Sequence, residues 1–362
     1  GNIGIFAYIF IQALLAALVI GYSQMLMKRM CAPRWFRLTA LGLCALMPVY
    51  CDNITVILKD VPYSYAMLLL LCEMARCIFL EDAGYLKTFG FMARMAAAGV
   101  FLLKIRNNGL LIWVPMGLAL FLWAIKNRRN KMGFVAAAVL LPILLGAGFD
   151  GVMSTRVESV PASPREALSL PIQQTARFVV EYGNEVTEEE RAIIDKVIDY
   201  DAIIYKYDPM ISDPVKFTYR ADATAQDVMR YLGVWLKLAA RHPDCCLAAT
   251  LVQNTLLFDP QTYNLAIFTG TGLSGEEART LGVSRSEKLS RFDRLEDQLH
   301  RLLFGFPFVM QLNTMGFYCI VLLGACAIAG GRKLRGMGKI LMPQTITMVS
   351  LIFGPCIQNQ DR

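Results

Sequence analysis

The sequence predicts an all-α fold: a polytopic helical membrane protein of about eight spans carrying a mostly helical extracytoplasmic insert. Three observations lead there. Apolar runs near the roughly 20 residues that cross a bilayer recur along the chain, which is 56% hydrophobic with mean hydropathy +0.44. One long polar stretch, residues 150–300, interrupts them. It holds 23 of the 29 acidic residues but only 16 of the 36 basic ones. The remaining basic residues collect in short loops between apolar runs, the asymmetry that sets membrane orientation and places the acidic stretch on the far side from those loops.

Taken in order, residues 1–149 read as a membrane domain of about six spans. Ile3–Met25 is the first, followed by a basic loop with Lys28, Arg29, Arg34 and Arg37. Leu38–Leu58 returns, with a polar second half, and Tyr63–Leu80 goes back in with Glu73 and Arg76 three apart on one face, spaced to pair. Phe91–Leu103, Leu110–Ile125 and Gly133–Phe149 complete the set, with Lys126, Arg128, Arg129 and Lys131 in the loop before the last. The insert, 150–300, opens on Pro161-Ala-Ser-Pro. It continues as helix over Leu168–Glu181 and starts another at Thr187, where Glu190 completes a capping box. Asp208-Pro and Asp213-Pro mark turns. Ala223–Ala240 is amphipathic and ends at His242-Pro, Cys246–Phe258 is apolar, and Gly270–Ser284 reads as a loop. Residues 301–362 supply about two more spans, Leu302–Gly330 and Ile340–Cys356, around the basic loop of Arg332, Lys333, Arg335 and Lys339. β-branched alternation is scarce, so no substantial sheet is expected.

Several function classes fall away. The net charge of +7 is a sum over membrane-flanking loops with no aromatic-interleaved patch, so no nucleic-acid partner is expected. Most of the ten cysteines sit in apolar segments, where they act as small hydrophobes. With two histidines, His242 and His300, and no ligand spacing, neither a metal nor another cofactor is expected. Nucleophile-elbow, phosphate-loop and dinucleotide motifs are absent.

A few residues remain for chemistry. Lys59-Asp60 lies at the outer end of a span beside Pro62. It is either an interfacial pair with a snorkelling lysine or a site where Lys59 neutralises a lipid phosphate and Asp60 orients a hydroxyl. Arg106, on the next external turn, is a phosphate ligand or a headgroup contact. Gln173, Gln174 and Arg177 share one side of a helix and could bind a sugar or a phosphate, or belong to a solvated face. His242 precedes a proline at a helix end, as a cap or as an acid–base group. Asp60 is the candidate catalytic residue; Lys59, Arg106, Gln173, Gln174, Arg177 and His242 are the candidate substrate-binding residues.

Asn2-Ile-Gly-Ile before a span, Lys59-Asp-Val-Pro-Tyr-Ser, Arg106-Asn-Asn-Gly and Leu170-Pro-Ile-Gln-Gln-Thr-Ala-Arg177 form a pattern. Tyr207-Asp-Pro-Met-Ile-Ser-Asp-Pro-Val-Lys216, Arg241-His-Pro and Phe258-Asp-Pro extend it over nearly the whole chain. The pattern resembles an uncharacterised bacterial multi-spanning family, similar in layout to the GT-C membrane glycosyltransferases. The resemblance implies a multi-pass protein of the bacterial plasma membrane with residues 150–300 extracytoplasmic. It implies a polyprenyl-phosphate sugar donor drawn from membrane lipid, an unknown glycan or lipid acceptor, and Lys59 or Arg106 at the leaving phosphate. Enzymes of that layout carry their catalytic carboxylate in the first external loop, after the first span. This chain matches from the following span onward and stops at Gln360-Asp-Arg362, so it reads as a fragment lacking that span and loop. A transporter and a non-catalytic cell-envelope scaffold are the alternative readings.

Overall fold

The computed structural model describes residues 2–80, 84–106, 109–127, 131–156, 164–260, 275–284, 290–334 and 336–352. The described elements are helices, with two isolated β-bridges, Ile198–Tyr219 and Asp208–Ile211, as the strand-like pairings among them. Two compact units form. One comprises Gly1–Glu158, Leu265–Asn313 and Ile320–Thr347; the other comprises Ser159–Asn264, Thr314–Cys319 and Met348–Arg362.

Among the described residues of the first unit, four helices are long and apolar enough to cross a membrane: α1 (Asn2–Arg29), α4 (Asp60–Phe79), α6 (Gly109–Asn127) and α7 (Met132–Ser154). Along α1, Ile3, Phe6, Phe10, Leu14 and Leu18 are exposed. A continuous apolar face of this kind is stable in lipid rather than in water. Lys28 and Arg29 end α1 against the negative end of its dipole. The chain then closes a Schellman-type turn, Ala32 N–H donating to Met27 O and Cys31 N–H to Lys28 O, with Cys31 at φ 58°.

The expected span Leu38–Leu58 is not one helix. The helix α2 (Arg34–Leu46) stops at Met47, which is extended (φ −76°, ψ 126°), before the short α3 (Pro48–Cys51) and a 3-10 turn over Asp52–Ile54. Pro48 has no N–H to continue the ladder and pushes its predecessor out of helical space. Between α4 and α6, α5 (Phe89–Ile105) has 17 residues and opens on a Thr88 cap that accepts from Phe91 N–H. α5 is the middle of the unit: Phe91, Met95, Ala98 and Leu102 are buried against residues of α4, α6 and α7. Gly99 makes this approach possible, since a Cβ there would stand 2.5 Å from Pro142 and 2.7 Å from the Trp113 ring. The Trp113 indole N–H donates to Val139 O (3.0 Å), beside the turn that Pro142 disrupts in α7.

Glu73 does not pair with Arg76 as its spacing suggests. It is fully buried on α4, accepting from Arg94 Nε of α5 (2.7 Å) and from the Tyr85 hydroxyl. Arg94 also donates to that hydroxyl (2.7 Å), and Arg76 lies over the Tyr85 ring, 3.5 Å from its centroid. Tyr85 sits on the α4–α5 connection and brings its ring between the two residues that were expected to meet.

The span read as Leu302–Gly330 is also interrupted. It divides into the end of α16 (Ser290–Phe304), the short α17 (Pro307–Gln311) and α18 (Met315–Gly331). Pro307 and the Gly305 turn account for the break. The last span read, Ile340–Cys356, corresponds to α19 (Met337–Ile352), and Cys356 lies outside the described residues. Within Gly270–Ser284, residues 275–280 form a short helix, α15 (Gly275–Thr280), where a loop was expected; 270–274 lie outside the described residues, as do Pro161-Ala-Ser163, Asn107, Asn108, Arg128, Arg129 and Arg335.

The second unit is built on α8 (Ser169–Tyr182), whose Ile172, Ala176, Phe178 and Val179 are buried with Tyr231, Val234 and Leu238 of α12 (Ala225–Arg241). Three shorter helices, α9 (Glu188–Asp195), α10 (Tyr200–Lys206) and α11 (Asp213–Lys216), close the core with Ile194, Ile203 and Val215. The capping box read at Thr187 and Glu190 is present, and Thr224 with Asp227 forms a second. α12 ends at His242, and Pro243 opens α13 (Pro243–Gln253), which leads to α14 (Thr255–Phe258).

Candidate functional site

One end of the first unit gathers most of its charged candidates. Lys59 is the residue before α4, Asp60 its first residue and Arg106 the residue after α5. Arg106 Nη1 lies 3.2 Å from Asp60 Oδ1, with its guanidinium 5.6 Å from the centroid of the Tyr63 ring. On α5 and α7, Lys104 pairs with Asp150. Asp60, at the positive end of the α4 dipole, is favourably placed there. Of the three cations at this end, Lys59 is exposed and has no carboxylate paired with it among the described residues.

Lys59 also belongs to a groove of about 440 Å³ between α1, α4 and α5. Its walls are Tyr8, Ile11, Leu15 and Val19 of α1, Pro62, Tyr65, Ala66 and Leu69 of α4, and Ala97, Ala98, Phe101 and Ile105 of α5. Apart from Lys59 and Gln12, the lining is apolar or aromatic. Gln12 is buried on α1, and its Nε2 donates to Ile54 O (2.8 Å) and Val56 O (3.0 Å). Those bonds tie down the non-helical link that delivers Lys59 to the groove mouth. Arg106 does not line the groove; it reaches the site through Asp60. The sequence therefore brings Lys59, Asp60 and Arg106 to one place, but with Lys59 alone on the apolar cavity. The groove itself could not be read from sequence, because it is made by three helices brought together by tertiary packing.

The candidates on the second unit are held within it. Gln174 is a hub: its Nε2 donates to Cys246 O (3.1 Å) and Thr250 Oγ1 (2.8 Å), while its Oε1 accepts from Trp235 Nε1 (2.9 Å). Gln173 Nε2 donates to Asp208 O (2.7 Å) and Pro209 O (3.3 Å), bracing the Asp-Pro turn. Arg177 pairs with Glu181 one turn on (2.9 Å). His242 stacks on Tyr182 (centroids 3.8 Å apart, planes 12° apart), with Nε2 3.0 Å from Glu185 Oε2. Burial pushes the Cys245 thiol up to about 12, with the Glu181 carboxylate adding to the shift, so it stays protonated near neutrality. Cys245 and Cys246 are both free thiols. Among the described residues, no cluster of three His, Cys, Asp or Glu side chains could hold a metal ion.

Among the described residues, four helices long and apolar enough to cross a membrane mark this as a helical membrane protein. The chain belongs to the family described as "Family of unknown function (DUF6020)", whose model matches residues 1–362. No curated protein and no solved structure matches it.

Proposed function

We propose that this protein is a GT-C-like membrane glycosyltransferase that takes a sugar from a polyprenyl-phosphate donor. The observation that carries the reading is the α1–α4–α5 groove: an apolar cavity with one exposed cation, Lys59, at its mouth. A long hydrocarbon tail with an anionic head suits that arrangement, because the tail is buried against apolar walls while the phosphate gains a charge-assisted bond.

The chemistry follows from the charges at that end. An acceptor hydroxyl attacks the anomeric carbon of the donor sugar, the carbon–oxygen bond to the phosphate breaks, and the polyprenyl phosphate leaves with its new negative charge beside Lys59. The hydroxyl proton needs a base. Asp60, adjacent to Lys59 in sequence, is the candidate base, and it takes the proton only after exchanging Arg106 for the hydroxyl. Arg106, once released, is a second cation for the phosphate. The acceptor is a glycan or lipid. In this reading the protein sits in the bacterial plasma membrane, with the Lys59 end and residues 150–300 on the extracytoplasmic side, as the charge distribution favours.

The Asp60–Arg106 ion pair itself favours a second reading, a lipid-binding envelope scaffold without transfer, because the carboxylate beside Lys59 already has a partner. Transfer of labelled sugar from a polyprenyl-phosphate donor, by the full-length protein in vesicles, separates the two. Asp60→Asn should cut transfer at least a hundredfold while donor binding changes by less than about threefold, since a positioned base contributes about 10²–10⁴. Donor binding without transfer in the wild type would leave the scaffold reading; absence of donor binding would remove both.

A further inference from the structure

The helix α16 carries a feature that the groove and its chemistry do not use. Phe292, Leu295, Leu299 and Leu302 recur at helical spacing and are all exposed, between 51% and 67%. Phe306 and Phe308 continue the exposed apolar surface into α17. His300, on a different side of the helix, is buried. By sequence the other positions are mostly charged: Arg291, Arg294 and Arg301 against Asp293, Glu296 and Asp297. The helix is therefore too polar to span a bilayer and too apolar on one stripe to lie in water.

Both ends of α16 are tied to membrane elements. The described segment before it ends at Ser284, whose N–H donates to Asn2 Oδ1 (3.1 Å) while Asn2 Nδ2 donates to Ser284 Oγ (3.4 Å). Asn2 is the first residue of α1, which has 28 residues. Such a helix is about 42 Å long, against about 30 Å of hydrocarbon and 40–45 Å with headgroups, so Asn2 stands at headgroup depth. The start of α16 is six residues beyond Ser284, at most about 20 Å of chain. After it, ten residues lead to the apolar helix α18.

We infer that α16 is an interfacial helix, lying along the membrane surface with Phe292, Leu295, Leu299 and Leu302 inserted at the boundary between headgroups and acyl chains. The occupant of the stripe is lipid, because an amphipathic helix fixed at headgroup depth has its apolar face met by the bilayer. With three arginines and three acidic residues, the helix gains nothing from anionic lipid. Its insertion rests on apolar burial, whatever the protein does at the groove.

Photolabelling of the full-length wild-type protein in phosphatidylcholine vesicles tests this. Two lipids are compared, one with a diazirine near the headgroup end of the acyl chain and one with it at the chain terminus. The shallow probe should label peptides covering 290–304 at least fivefold more than the deep probe, with adducts on Phe292, Leu295 or Leu299. The spans α1 and α7 should take both. Replacing a third of the lipid with phosphatidylglycerol should change labelling of α16 by less than twofold. Leu295→Glu with Leu299→Glu should abolish that labelling and leave the spans labelled. No shallow labelling of α16 while the spans are labelled would overturn the inference. So would equal labelling by both probes, or crosslinks from this stripe to a second copy of the chain.

Discussion

Glu73 offers the sharpest test of how the spans are held together. Its carboxylate is fully buried and receives Arg94 Nε at 2.7 Å and the Tyr85 hydroxyl, while Arg76 lies over the Tyr85 ring. Tyr22 of α1 joins through its hydroxyl, 3.3 Å from that of Tyr85. One buried anion thus compensates Arg94 and, through the Tyr85 hydroxyl, links three helices. Glu73→Ala leaves Arg94 without its buried counter-charge. Removing one partner of a buried pair costs about 3–5 kcal/mol, and at about 2–4 °C per kcal/mol for a domain of this size the apparent unfolding midpoint should fall by roughly 6–20 °C. Glu73→Gln keeps an acceptor for Tyr85 and should cost less than half as much. A thiol-reactive dye reads the transition in detergent, because Cys72 and Cys77 of the same helix are buried. Adding Arg94→Leu to Glu73→Ala should recover part of the loss, with a coupling of at least about 1 kcal/mol in the double-mutant cycle. A midpoint shift under about 2 °C for Glu73→Ala, or a strictly additive cycle, would refute the ionic clamp.

Three further outcomes follow from the packing. Gln174→Ala removes the partner of the Trp235 N–H and should cost about 2–3 kcal/mol, read as a loss of hydrogen-exchange protection in α12 and α13 relative to α10; unchanged protection would refute the hub. Gly99→Leu should misfold or strongly destabilise the first unit, since a Cβ already meets Pro142 at 2.5 Å, whereas Gly21→Leu on α1, where a Cβ meets nothing within 4 Å, should be tolerated in expression and thermal assays. For Glu190, burial raises the pKa, but the Arg241 pair and the Thr187 capping bonds outweigh it and hold the group below its ordinary value of 4.5. Its contribution is thus complete above that value and lost as pH falls through the lower folded pKa, so α9 should lose exchange protection below about pH 4.5, and Glu190→Gln should flatten that dependence.

Much of the architecture is written locally. The spans α1, α4, α6 and α7 lie close to the apolar runs that announce them, because lipid leaves no alternative to a helix for an apolar stretch of that length. The Thr187 capping box and the end of α12 at His242-Pro are equally local, each decided by a few adjacent residues. Other features depend on partners distant in sequence. Glu73 has Arg76 within reach on its own helix, yet its acceptors are taken by Arg94 and Tyr85, 21 and 12 residues away. Pro48 was available to read as a break, but the apolar residues around it masked it. Helical periodicity shows that Gln173, Gln174 and Arg177 share a side, but not that Gln173 and Gln174 are buried and bonded to neighbouring elements. Lys59, Asp60 and Arg106 were legible as residues that charge places at the end of a span. The groove that Lys59 borders was not, since Tyr8, Tyr65 and Phe101 come from three helices and only the fold puts them together.

The central claim is that the groove and Lys59 together recognise a phosphorylated isoprenoid lipid. Native mass spectrometry of the full-length protein in one detergent and one salt, titrated with polyprenyl phosphate and with the matching polyprenol, tests both halves at once. A charge-assisted bond contributes about 1.5–3 kcal/mol, and about 1.4 kcal/mol is a factor of ten. The phosphate form should therefore bind at least tenfold more tightly, and Lys59→Ala should bring the two within about twofold while Phe101→Glu weakens both. Equal affinity for phosphate and alcohol in the wild type, or a phosphate preference that survives Lys59→Ala, would contradict the account.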